Sequence, residues 1–205
     1  MKRIRYASIA FAIGLLASAS LAAAQADDRL AQGIKAHNSG LAGDEASIGE
    51  ALRLLGPDNW DRPPLALAYH GSAITLQASL AKKEGDLMKA LTRIDEGTKE
   101  IDAALALDPG DPDLRVLRME NSVALVESSP VDRRPQAVGD IAWLRARWAE
   151  LKPEDRSVVE LDSGRLALAD RQLGEAMAYW RKAIREAPES DAASRAKKLL
   201  KRYGD

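Results

Sequence analysis

The sequence predicts an all-α protein. Ala and Leu recur at helical spacing, alternating runs of β-branched or aromatic residues are missing, and clusters of Gly and Pro punctuate the periodic stretches. The 205 residues are 46% hydrophobic and 30% charged, enough apolar content for a folded core, so disorder is not expected. The absence of cysteine excludes disulfides, thiolate nucleophiles and thiolate metal sites. A formal net charge of −1 gives no general attraction to nucleic acid, and no nucleic-acid partner is expected.

Residues 1–26 have the layout of a cleavable signal peptide. Lys2, Arg3 and Arg5 form a cationic start, Ile9 to Leu16 an apolar centre, and small residues follow. Cleavage fits after Ala24 or after Ala26. Lys2-Arg3-Ile4-Arg5 lacks an Arg-Arg pair, so the general secretion route and a periplasmic location are expected. Membrane attachment is expected only where this N-terminal segment stays uncleaved. Without the three leading cations the chain carries 27 Lys+Arg against 31 Asp+Glu.

Residues 27–205 form the expected helical domain, and punctuation places its helices in order. Gly40 and Gly43 separate helices over 27–38 and 44–55; Gly56-Pro57-Asp58-Asn59 closes the second, and Arg62-Pro63-Pro64 opens the third, over 64–83. The Lys83-Glu84-Gly85-Asp86 turn leads into 86–107. Asp108-Pro109-Gly110-Asp111-Pro112 then opens 112–128, with Asp111 accepting from first-turn amides and Pro112 at the first helical position. Pro130, Pro135, Pro153 and Pro188 mark later joints, giving helices over 135–151, 154–170, 173–187 and 190–203.

The helix ends repeat. Leu54-Leu55-Gly56-Pro57-Asp58, Leu105-Ala106-Leu107-Asp108-Pro109, Glu150-Leu151-Lys152-Pro153-Glu154 and Arg185-Glu186-Ala187-Pro188-Glu189 each put a proline just after a helix end, and the last two prolines stand 35 residues apart. A helix pair recurring about every 34 residues is the tetratricopeptide period. Over 157–190, Gly164, Ala167, Ala176, Trp180, Ala183 and Pro188 fall where that repeat uses small residues, a large aromatic and a terminating proline, and Ala104 and Pro109 keep the Ala183 to Pro188 spacing. Glu160 and Ser163 depart from the pattern, standing where Trp and Leu are preferred.

The chain therefore resembles tetratricopeptide-repeat proteins, most closely in its last third. The stretch from Leu67 to Arg115 is also similar to exported bacterial helical-repeat proteins without assigned activity. The resemblance implies a right-handed superhelical solenoid of antiparallel helix pairs, with 190–203 as a capping helix whose Leu199, Leu200 and Tyr203 cover the last repeat. It further implies a concave face lined by the first helix of each pair. That carries partner binding to Leu161, Arg165 and Leu168 and, by weaker analogy, to Tyr69, Ala73 and Gln77.

The sequence nominates no catalytic residue, metal ligand or cofactor. His37 and His70 lack zinc-type spacing, and Gly33, Gly40 and Gly43 form no phosphate loop. Asp27-Asp28, Asp44-Glu45 and Glu154-Asp155 are expected at helix starts, where carboxylates complement the dipole. Asp108-Pro109-Gly110-Asp111-Pro112-Asp113 lacks calcium-loop spacing and reads as a turn. Arg115, Arg118 and Arg145 either edge a groove or pair with neighbouring carboxylates. The basic end of the last helix complements its dipole. The expected function is a non-catalytic scaffold holding another envelope or secreted protein. Three alternatives stay open: a factor for envelope or cytochrome c assembly, since Glu175 to Ala183 is similar to repeats of such factors; a subunit of an envelope transport complex; and a cell-wall enzyme, for which no sequence feature nominates an acidic residue.

Overall fold

The computed structural model describes the backbone of residues 7–57, 60 and 62–204, with side chains from residue 24 onward. Lys2, Arg3, Arg5, Asp58 and Asn59, invoked above, lie outside the described residues. Among those described there are nine α-helices and no strand: α1 (Ala7–Leu41), α2 (Glu45–Leu55), α3 (Pro64–Lys83), α4 (Leu87–Leu107), α5 (Pro112–Ser128), α6 (Arg134–Arg145), α7 (Pro153–Ala169), α8 (Leu173–Glu186) and α9 (Asp191–Tyr203). The all-α expectation holds. Two compact units divide the chain between Thr98 and Lys99, within α4.

Two helices differ from expectation. α1 runs without a break through Asp27 and Asp28, because no proline interrupts the Ala-rich stretch before them. These aspartates therefore do not cap a helix start; Asp28 instead accepts from Gln32 Nε2 at 2.8 Å. α6 ends at Arg145 rather than 151 and is followed by a single 3₁₀ turn over Trp148–Glu150. Lys152, held extended before Pro153 (ψ 151°), cannot continue a helix. The bend turns Trp148 and Leu151 into the core.

Three helix pairs close with one turn. After α1, α3 and α7, three successive amides bond back in the same nested pattern: Ala42 to Asn38, Gly43 to Gly40 and Asp44 to Ser39; Glu84 to Leu80, Gly85 to Lys82 and Asp86 to Ala81; Asp170 to Leu166, Arg171 to Leu168 and Gln172 to Ala167. This is a Schellman arrangement, which needs a left-handed residue at its second position. Gly43, Gly85 and Arg171 fill it, with φ of 110°, 83° and 63°.

In the first unit, α1 packs on α2 and α3, and α2 on α3. Ala51, Leu55, Ala66 and Ala73 form its core with Leu30, Trp60 and Tyr69 against it. α4 approaches α3 so closely at Gly97 that a Cβ there would strike the Gly71 carbonyl and lie 2.6 Å from Thr75 Cγ2.

In the second unit, α5 packs on α6 and α7, α7 on α8 and α9, and α8 on α9. One core cluster joins Val116, Met119 and Val123 of α5 to Ile141 and Leu144 of α6 and to Val159 and Leu166 of α7. A second joins Leu161 and Ala167 of α7 to Ala176, Trp180 and Ala183 of α8 and to Ala192 and Ala196 of α9, with Leu199, Leu200 and Tyr203 packed against it. α7 thus buries residues on two sides at once. Asp111 accepts from Asp113 N at 2.7 Å with Pro112 opening α5, as expected. Ser190 caps α9 by accepting from Ala193 N at 3.1 Å.

Candidate functional site

Most of the residues expected to pack the repeats are buried. Ala104, Ala176, Trp180 and Ala183 are fully buried and Ala167 nearly so. Gly164 lies directly beneath the Trp180 indole. Pro109 and Pro188 are exposed in the turns that follow α4 and α8. Glu160 and Ser163, the departures from the pattern, are served by Arg145, whose guanidinium reaches Glu160 at 3.4 Å and donates to Ser163 Oγ at 3.0 Å. A charged pair replaces apolar filling there.

The six partner-binding candidates divide. Ala73 and Leu161 have no exposed surface and belong to the two cores, which removes them from any binding face. Tyr69 is half-buried, edge-on to His37 at 5.0 Å, and Gln77 is half-buried on the same helix. Arg165 and Leu168 line a pocket of about 500 Å³ together with Glu127, Arg195, Lys198, Leu199, Arg202 and Tyr203. These residues come from α5, α7 and α9.

The pocket has an apolar part, Leu168, Leu199 and Tyr203, and a cationic wall from α9. Arg195, Lys198 and Arg202 stand at i, i+3 and i+7, which one helix face presents together. Arg165 is already engaged: it donates to Asp162 Oδ1 at 2.7 Å and to both Glu127 oxygens at 3.0 and 2.5 Å. Burial disfavours its charge, but Asp162 and Glu127 more than reverse this and hold it protonated. Arg195 pairs with Glu120 at 3.6 Å. Lys198 and Arg202 are exposed, and no carboxylate among the described residues pairs with them.

Two carboxyl groups adjoin the pocket's cations, Asp162 on Arg165 and the half-buried Glu120 on Arg195. Asp162 is fully buried, and its Oδ2 has no hydrogen-bond partner. Burial pushes its carboxyl up against the pull of Arg165. Burial, and then the Asp162 charge, push the Glu120 carboxyl up to about 7 against Arg195 and Arg165.

Arg115 and Arg118 resolve as internal pairs. Both grip the fully buried Asp140, Arg115 at 2.9 Å and Arg118 at 2.8 Å to each oxygen. Asp102 bridges Arg118 and Arg133. Burial opposes the Asp102 charge, and the Arg133 and Arg118 guanidiniums outweigh it, holding the carboxyl below its usual range. Arg115 and Arg147 also lie over the Trp143 ring at 4.9 and 3.9 Å. His37 is likewise internal, with its Nε2 2.9 Å from Ser72 Oγ and its Nδ1 3.0 Å from Asn38 Oδ1.

Among the described residues, no group of three or more His, Asp or Glu is arranged to hold a metal ion, and no helix is long and apolar enough to cross a membrane. The α9 contribution to the pocket was not foreseen from sequence, where its cations read as dipole complements and its apolar residues as cover. Their i, i+3, i+7 spacing was the available signal. No protein-family model, curated protein or solved structure matches this chain.

Proposed function

We propose that the protein is a non-catalytic periplasmic scaffold of the tetratricopeptide kind, whose helix pairs stack as a right-handed superhelical solenoid and hold a segment of another envelope or secreted protein. The pocket between α5, α7 and α9 carries this reading. It brings an apolar floor and surplus cations to one place, the combination that seats an extended or helical segment by burying side chains and fixing its charges. The nested turn shared by three helix pairs supports the repeat architecture. Leu168, Leu199 and Tyr203 would supply apolar contact. Lys198 and Arg202 would supply charge-assisted hydrogen bonds.

The test is in-cell crosslinking of a C-terminally tagged chain in the native host, with captured proteins identified by mass spectrometry alongside a Leu168→Glu/Arg202→Glu variant. A partner enriched by the unmodified chain and lost from the variant is expected. A capture profile that the variant leaves unchanged would sink the assignment of this pocket.

A further inference from the structure

We propose that the α5, α7 and α9 pocket selects an acidic segment carrying apolar side chains, and that seating it draws a proton onto Glu120. This rests on the pocket being the partner site.

The choice of an acidic occupant follows from charge complementarity. Of the four cations lining the pocket, Arg165 and Arg195 are held by carboxylates of this chain. Lys198 and Arg202, on the same face of α9 as Arg195, are paired with no carboxylate among the described residues. A ligand carboxylate meets there two cations with no carboxylate to give up, Arg202 lying over the Tyr203 ring at 5.3 Å, while Leu168, Leu199 and Tyr203 accept its apolar side chains.

The proton coupling follows from where Glu120 sits. Its partner Arg195 is itself a lining residue, so the ion pair ties the pocket to a half-buried carboxyl beside it. The charges acting on Glu120 are Asp162, Asp155 and Arg165 from α7 and Arg195 from α9. α6 presents Asp140, which Arg115 and Arg118 of α5 grip. An arriving carboxylate brings negative charge beside Arg195 and competes with Glu120 for it. Glu120 already faces Asp162, whose Oδ2 has no donor, so the repulsion is relieved when a solvent proton adds to a Glu120 oxygen. Arg195 is then free for the ligand. Linkage requires the converse: acidification through the range near 7 strengthens binding.

The experiment uses the full chain and a fluorescein-labelled peptide of repeated Glu-Glu-Leu, read by anisotropy. Binding is expected to tighten about threefold or more from about pH 8 to about pH 6, with proton uptake seen by calorimetry in two buffers of different ionisation enthalpy. Glu120→Gln should bind at the upper pH as the unmodified chain binds at the lower, and lose the dependence. Arg195→Gln should weaken binding chiefly at the lower pH. Lys198→Ala/Arg202→Ala should weaken it about tenfold at both.

An unchanged pH dependence in Glu120→Gln, or binding without proton uptake, overturns the coupling. A Gln-Gln-Leu peptide binding equally well overturns the acidic selectivity. Acidic-peptide binding that Lys198→Ala/Arg202→Ala leaves intact shows instead that the pocket reading itself is wrong. Binding to vesicles of anionic lipid with no binding to the peptide would overturn the peptide occupant.

Discussion

The Trp180 indole occupies the space a side chain at Gly164 would need: a Cβ built there lies 2.5 Å from Trp180 Cδ1 and 2.9 Å from the Ala176 carbonyl oxygen. Trp180 is fully buried, so the ring cannot swing aside without opening the α7, α8 and α9 core. Gly164→Ala should therefore destabilise the second unit by about 1–3 kcal/mol in denaturant titrations. Gly139, in α6 with nothing within 4 Å of its would-be Cβ, is the control. Gly139→Ala should leave stability unchanged or raise it by about 0.5–1 kcal/mol. Equal effects at the two sites would show that the indole does not set the approach of α7 to α8.

Arg171 holds φ at 63° in the turn where the matching positions are Gly43 and Gly85. A side chain in the left-handed region costs roughly 1–2 kcal/mol. Arg171→Gly should raise the denaturation midpoint of the second unit, with a net gain of about 0.5–1 kcal/mol after the added freedom of the unfolded chain is subtracted. A loss of stability would mean that the Arg171 side chain itself holds the turn.

Asp140 is a fully buried carboxylate that satisfies two guanidiniums from the neighbouring helix. Asp140→Asn leaves the shape and removes the charge, leaving Arg115 without a carboxylate and Arg118 with Asp102 alone in a largely buried place. Stability measured by urea titration should fall by about 3–5 kcal/mol. Replacing all three by apolar residues of similar volume should cost much less, because the penalty lies in the unpaired charges.

His37 gives the first unit a pH dependence of known sign. Burial lowers its pKa from the ordinary 6.5, with the Asn38 side chain partly countering this. The tautomer that satisfies both contacts has Nδ1–H donating to Asn38 Oδ1 and the Ser72 hydroxyl donating to Nε2. The unfolded chain then binds a proton near 6.5 that the folded chain refuses, so the contribution is fully present above 6.5 and is lost as pH falls toward the lower folded value. Hydrogen-exchange protection of α1 and α3 should drop across that interval. His37→Gln should flatten the drop, and an equally steep drop in that variant would exonerate the histidine.

Most of the helices were legible because their ends are written in residues with one conformational use. Pro64 and Pro112 open α3 and α5 where expected, and Gly85 closes the turn after α3. The turn after α7 has the same geometry with arginine in the demanding position, so neither its conformation nor its kinship to the other two could be read locally. The groove was half legible. Packing of α7 on two sides sends Leu161 into one core and Val159 into another, leaving only Arg165 and Leu168 of that helix at the pocket. The ion network of Asp102, Arg118, Arg133 and Asp140 joins residues 16 to 31 positions apart, and no local pattern announces it.

The unbroken course of α1 bears on how the chain tolerates being shortened. Its anchors in the first unit are Arg29, which donates to the Leu54 carbonyl, Leu30 against the core, Gly33 beneath Leu55, His37 on Ser72 and Gly40 against Ile48. All lie beyond the small-residue positions at Ala24 and Ala26. A processing enzyme cutting there would leave every one of these grips in place, and the new amino terminus would begin on a helix already docked along its remaining length.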